Sequence, residues 1–132
     1  MHTTNYVNTF IEVAEDCKAE VGVAPPERPT VARMQYDMLR AAPYRLTSDE
    51  LIFAIYAERN GIPAEERERR RAEFFSRGQP CLRSSPLAKS YGWGLHFDAD
   101  GRVAIYPRGS EEYERLRRDP ALRHLKAMRS SR

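Results

Sequence analysis

The chain has 132 residues, 41% of them hydrophobic and 31% charged, the balance of one ordinary globular domain, and no apolar run approaches the ~20 residues that a membrane span needs. Its net charge of +3 is uneven: residues 115–132 hold seven basic side chains against Asp119 and carry +6, which leaves −3 on the first 114. That division predicts a single domain over 1–114 and a basic helical tail over 115–132, and two cysteines, Cys17 and Cys81, argue against a disulfide-built secreted scaffold.

The N-terminus, "MHTTNYVNTFIEVAEDC", lacks the basic start and apolar stretch of a secretory signal, so the cytoplasm is the expected location and a membrane is not an expected partner. Residues 6–14 alternate as a strand, with Val7, Thr9, Ile11 and Val13 on one face and Tyr6, Asn8, Phe10 and Glu12 on the other. Residues 15–29, with three prolines in "APPERP", read as a flexible loop. Thr30 suits the cap of a helix over 31–42, whose apolar stripe is Val31, Met34, Met38 and Leu39 and which Pro43 ends.

"TSDELIFAIYAERNG" is the clearest local signal. Thr47 and Glu50 form a capping box, Asp49 and Glu50 complement the positive helix start, and Gly61 supplies the stop. The run Leu51–Ala57 is apolar on nearly all sides, which predicts a central helix over 47–60 covered on more than one face. A third helix is expected over 64–77, laced by Glu65–Arg69 and Glu66–Arg70 pairs.

Residues 91–106 read as a hairpin turning at "DADG", 98–101. If Asp98 opposes Arg102, Phe97 meets Val103 and Leu95 meets Ile105 on one face, while His96 meets Ala104 and Gly94 meets Tyr106 on the other. Ser110 caps a further short helix through Tyr113 and Leu116. The expected fold is α+β: a small antiparallel sheet, made of the N-terminal strand and the 91–106 hairpin, packed against several helices. The alternative leaves the N-terminal strand apart and makes the helices and hairpin a winged module.

Three stretches together, "HTTNYVNTFIEVAEDC", "PYRLTSDELIFAIYAERN" and "GQPCLRSSPLAKSYGWGLHFDADGRVAIY", resemble a family of small bacterial proteins described as a domain of unknown function. The resemblance runs from residue 2 to about 114 and fades in the basic tail. It implies a bacterial, single-domain, cytoplasmic protein, and it brings no activity, cofactor or catalytic residue with it.

The residues themselves must therefore indicate the site. The chain has none of the phosphate-loop, dinucleotide, zinc-protease or serine-hydrolase spacings. With only His2, His96 and His124 for imidazole ligands, no metal and no cofactor is expected. The stretch 81–96 stands out. Arg83 and Lys89 offer charge, Ser84 and Ser85 hydroxyls, Tyr91 and Trp93 flat surface, the composition of a contact for a small anionic ligand or a protein partner. Those serines equally suit a turn, and Trp93 a core. Cys81, near Arg77, Arg83 and Lys89, is the candidate nucleophile of a cysteine enzyme or redox sensor, with His96 as its base; a buried, inert thiol is the plain alternative. A nucleic-acid binder is the third class, with the basic tail supplying cations that an acidic hairpin tip lacks. Thus the sequence favours a binding or interaction module at 81–96 and assigns no reaction.

Overall fold

The computed structural model of the chain describes residues 2–131. Strand β1 (Thr9–Glu12) is followed by helices α1 (Val31–Ala41) and α2 (Ser48–Arg59). A 3-10 turn, Ala64–Glu66, leads into α3 (Arg67–Phe74), and a second, Leu82–Ser84, into the short α4 (Pro86–Lys89). Then come β2 (Trp93–Phe97), β3 (Val103–Pro107), α5 (Glu111–Arg117) and β4 (Arg123–Lys126). The strands form one sheet in the order β3-β2-β1-β4.

The helix and hairpin signals act as expected. Thr47 accepts from the Glu50 N–H while the Glu50 carboxylate takes the Thr47 N–H, a complete capping box at the start of α2. Phe97 pairs with Val103, Leu95 with Ile105, His96 with Ala104 and Gly94 with Tyr106. Leu95, Phe97, Val103 and Ile105 share a buried cluster with Ile11 of β1 and with Leu39, Leu51 and Ile55 of the helices. That cluster is the main core, between one sheet face and α1, α2 and α4. Phe10, on the other face, packs with Tyr113 and Leu116 of α5.

Gly94 is required by that second face. A Cβ there would lie 2.6 Å from the Phe10 ring and 2.7 Å from the Tyr113 ring, closer than buried rings in contact with each other can yield. It is these two rings that fill the space over Gly94; the hydroxyl of its cross-strand partner Tyr106 turns to Tyr44.

The expected α+β fold forms, with β1 antiparallel to the hairpin, and the structure adds to or corrects several details. First, the sheet is mixed: β1 is antiparallel to β2 but parallel to β4. The basic tail is no free helix. After α5 the chain returns as β4, and Met128 N–H bonds to the Arg83 carbonyl and Ser130 N–H to the Asp16 carboxylate. Three of the four β4 residues are exposed, so an edge strand guarded by charge presents the composition of a solvated tail. Second, strand β1 is shorter than 6–14 because Asn8 has φ 47, a left-handed conformation that asparagine tolerates. The alternation breaks there: Tyr6 crosses to the core face and stacks at 5.3 Å on Phe97, while Val7 is left exposed. Third, the proline loop is tied down. Val23 N–H bonds to Tyr91 O, Trp93 Nε1–H to Val23 O and Arg33 to Pro25 O. Because β1 pairs with β2, the alternative with a separate winged module is not the fold that forms.

Candidate functional site

The polar residues near the N-terminus converge on α2. Thr4 N–H and Thr4 Oγ1–H each donate to Asp49 Oδ1 at 2.7 Å, and Thr3 Oγ1–H donates to Oδ2 at 2.7 Å. Asn5 Oδ1 accepts the Asp49 N–H, and Ser48 completes the set through Thr4 Oγ1 at 2.8 Å. Asp49 is 5% exposed, and its carboxylate accepts three hydrogen bonds from the chain start. "TTN" and "TSDE" thus form a clasp between the chain start and the central helix, and three donors from the chain start occupy most of the Asp49 carboxylate.

Most of the stretch 81–96 is likewise committed to the fold. Trp93 is buried, in edge contact with Tyr36 at 5.4 Å and covered by the Arg40 guanidinium at 5.0 Å. Ser84 Oγ–H donates to Cys81 O. Tyr91 packs against the main core and its carbonyl takes the Val23 N–H. Arg83 Nε–H donates to Lys126 O, pinning the loop to β4. Lys89, half-buried at the end of α4, forms no ion pair among the described residues.

Cys81 and His96 are not brought together. Cys81 Sγ lies 3.1 Å from the Tyr6 hydroxyl, on the sheet face where Tyr6 stacks on Phe97. His96 neighbours Leu95 and Phe97 in β2 and so projects from the opposite face. Burial and the Cys81 contact push the Tyr6 hydroxyl up to about 12, so Tyr6 offers the thiol a hydrogen bond and no base at neutral pH.

His96 instead begins a chain of hydroxyls. Its Nδ1 is 2.7 Å from Tyr44 Oη, which is 2.7 Å from Tyr106 Oη. Tyr44 has φ 59, strained for an aromatic residue by about 1–3 kcal/mol. The loop holds it there by Tyr44 N–H to Val103 O and Val103 N–H to Leu46 O. Burial lowers the His96 imidazole from its ordinary 6.5. The folded chain therefore disfavours a proton that the unfolded chain accepts. This contribution to stability is whole above pH about 6.5 and is lost as the pH falls. The melting temperature should drop on acidification from pH 7 to 5, and less steeply in His96→Gln; equal slopes for the two proteins would assign the effect elsewhere.

A partly open, mostly apolar groove lies between the helices. Val31 and Gln35 of α1, Ile52, Ile55 and Tyr56 of α2, and Phe74 of α3 wall a cavity of about 310 Å3. Phe74 is placed by its ring contacts with Tyr56 at 4.5 Å and Phe53 at 5.8 Å. Gln35 is 5% exposed, and its orientation is set by Ser85. Ser85 Oγ accepts the Leu87 N–H and directs its own proton to Gln35 Oε1 at 2.6 Å. That leaves the Gln35 Nε2 amide without a partner among the described residues. Since no fully buried side-chain nitrogen or oxygen among those residues is unpaired, Nε2 keeps some contact with solvent, and Gln35 is among the residues that line the cavity. A second cavity, about 330 Å3, shares Tyr56, Phe74 and Gln79 with the first and adds Arg70, Glu73 and Arg77. Sequence reasoning missed this site, although one sign was visible: Gln35 lies four residues from both Val31 and Leu39, a polar residue on the apolar stripe of α1.

These features define a small α+β domain with a mostly apolar inter-helical groove and Gln35 among the residues that line it. The chain belongs to the Family of unknown function (DUF6157), whose model matches residues 1–132. No curated protein and no solved structure matches it. Among the described residues, no helix is long and apolar enough to cross a membrane.

Proposed function

We propose that this protein is a cytoplasmic binding module whose ligand site is the groove between α1, α2 and α3. Residues 81–96 support that site from behind: Ser85 orients Gln35, and Trp93 and Tyr91 hold the layer on which α1 rests. The observation that carries the reading is Gln35, 5% exposed, which lines a mostly apolar groove while Ser85 takes its carbonyl oxygen and leaves its amide donor free for a ligand. An apolar pocket with few, well-placed polar groups is the ordinary form of a small-molecule site, and a buried donor left to water alone gains on meeting an acceptor there.

The test is a thermal-shift screen of small organic compounds against the wild type and Ile52→Trp, which fills the groove from one wall. Compounds that raise the melting temperature of the wild type by several degrees, as saturating ligands do, should leave Ile52→Trp unmoved. Equal stabilisation of both proteins would place the site elsewhere.

A further inference from the structure

From the charges around the same groove, and resting on the reading above, we infer the ligand class: an amphiphilic organic anion, with its apolar body in the first cavity and its carboxylate or similar head between Arg70 and Arg77 in the second.

The apolar half is set by Ile52, Ile55 and the Phe74 ring. The two cavities are adjacent, with Tyr56, Phe74 and Gln79 in the lining of both, and the inferred ligand spans the pair. The polar half is cationic because of how α3 distributes its ion pairs. Arg69 Nη2 lies 2.9 Å from Glu66 Oε1 and its Nη1 2.9 Å from Glu73 Oε1. Arg69 thus takes the closest contacts of both carboxylates. Arg70 is left with the same two carboxylates at 4.0 and 3.8 Å, beyond hydrogen-bonding distance. Arg77, on the exposed segment after α3, forms no ion pair among the described residues.

Thus two guanidiniums face the second cavity, and Glu73, already held by Arg69, is the one carboxylate lining either space. Arg59, which lines the far end of the apolar cavity, adds a further positive charge and donates to Pro29 O. A neutral ligand would gain nothing from this excess, and a cation would be repelled. An anion gains most, since guanidinium forks match planar carboxylates and partial desolvation strengthens the pairing.

The probes are octanoate, 1-octanol and octylammonium, each titrated below its aggregation limit into isotope-labelled protein. The Gln35 side-chain amide and the Ile52 and Ile55 methyls report occupancy by NMR. Octanoate should bind at least ten-fold more tightly than octanol, and octylammonium not at all. Arg70→Ala/Arg77→Ala should weaken octanoate ten-fold or more and leave octanol unchanged. If the double variant fails to fold, Arg77→Ala alone, at an exposed position, should still weaken octanoate selectively. Equal binding of octanoate and octanol, insensitive to these arginines, would overturn the anion and leave the groove standing. Silence of all three groups with every probe would overturn both. Occupancy by an acidic amphipathic peptide with octanoate inactive would also overturn the small-anion assignment.

Discussion

A chain ending at Arg118 should fail to fold cooperatively. Residues 123–126 form the outer strand β4, paired with β1 from Thr9 to Glu12. Arg123 N–H bonds to Asn8 O and Ala127 N–H to Glu12 O. Leu122 covers the Phe10 cluster, and Leu125 and the buried Ala127 belong to the main core. Removing the strand turns β1 into an edge and uncovers Phe10 and Ile11, both fully buried in the intact chain. Lost ladder bonds at about 0.5–1.5 kcal/mol each and two to three lost apolar side chains at about 1.5–3 kcal/mol each amount to much of the ~5–15 kcal/mol that a domain possesses. Circular dichroism should show no cooperative melt for the shortened chain. A transition within about 5 °C of the wild type would mean that the C-terminal segment is the dispensable tail its composition suggests.

The second large effect is expected at Asp49. In Asp49→Ala the Thr4 N–H, Thr4 Oγ1–H and Thr3 Oγ1–H all lose their acceptor. Thr4 is 5% exposed, so its backbone donor is left buried and unpaired. Each such group forfeits about 1–3 kcal/mol, and the start of the chain comes away from α2. A loss of about 3 kcal/mol or more in urea unfolding should follow. Asp49→Asn should recover part of it, because its carbonyl oxygen still accepts while its NH2 group faces another donor. A loss below 1 kcal/mol in Asp49→Ala would show that the clasp contributes little.

What could be read from the residues follows the range of the interactions. The capping box of α2 and the β2–β3 register depend on neighbours within a few positions, and "TSDE" and "DADG" state them directly. Strand β4 was not legible, because its partner β1 is more than a hundred residues away and its outward side chains are those of a solvated segment. Asn8 carries no sign that it takes φ 47, yet that one residue decides which face receives Tyr6. The stretch 81–96 stands out by composition, and its serines and tryptophan bond to Gln35, Cys81 and Val23, pairings that composition does not reveal. In the proposed function it acts through Ser85, which orients Gln35. The groove exists only once α3 lies against α2, and the closer pairing of Glu66 and Glu73 with Arg69 than with Arg70 is a choice that i,i+3 and i,i+4 spacing permits but does not determine.

The most direct test of the central claim is a crystal structure of the chain with the compound that stabilises it most in the thermal screen. The molecule should lie between α1, α2 and α3 with an acceptor atom about 3 Å from Gln35 Nε2. A molecule bound instead on the outer surface of residues 81–96, against Arg83 or Lys89, with the groove unchanged, would contradict it.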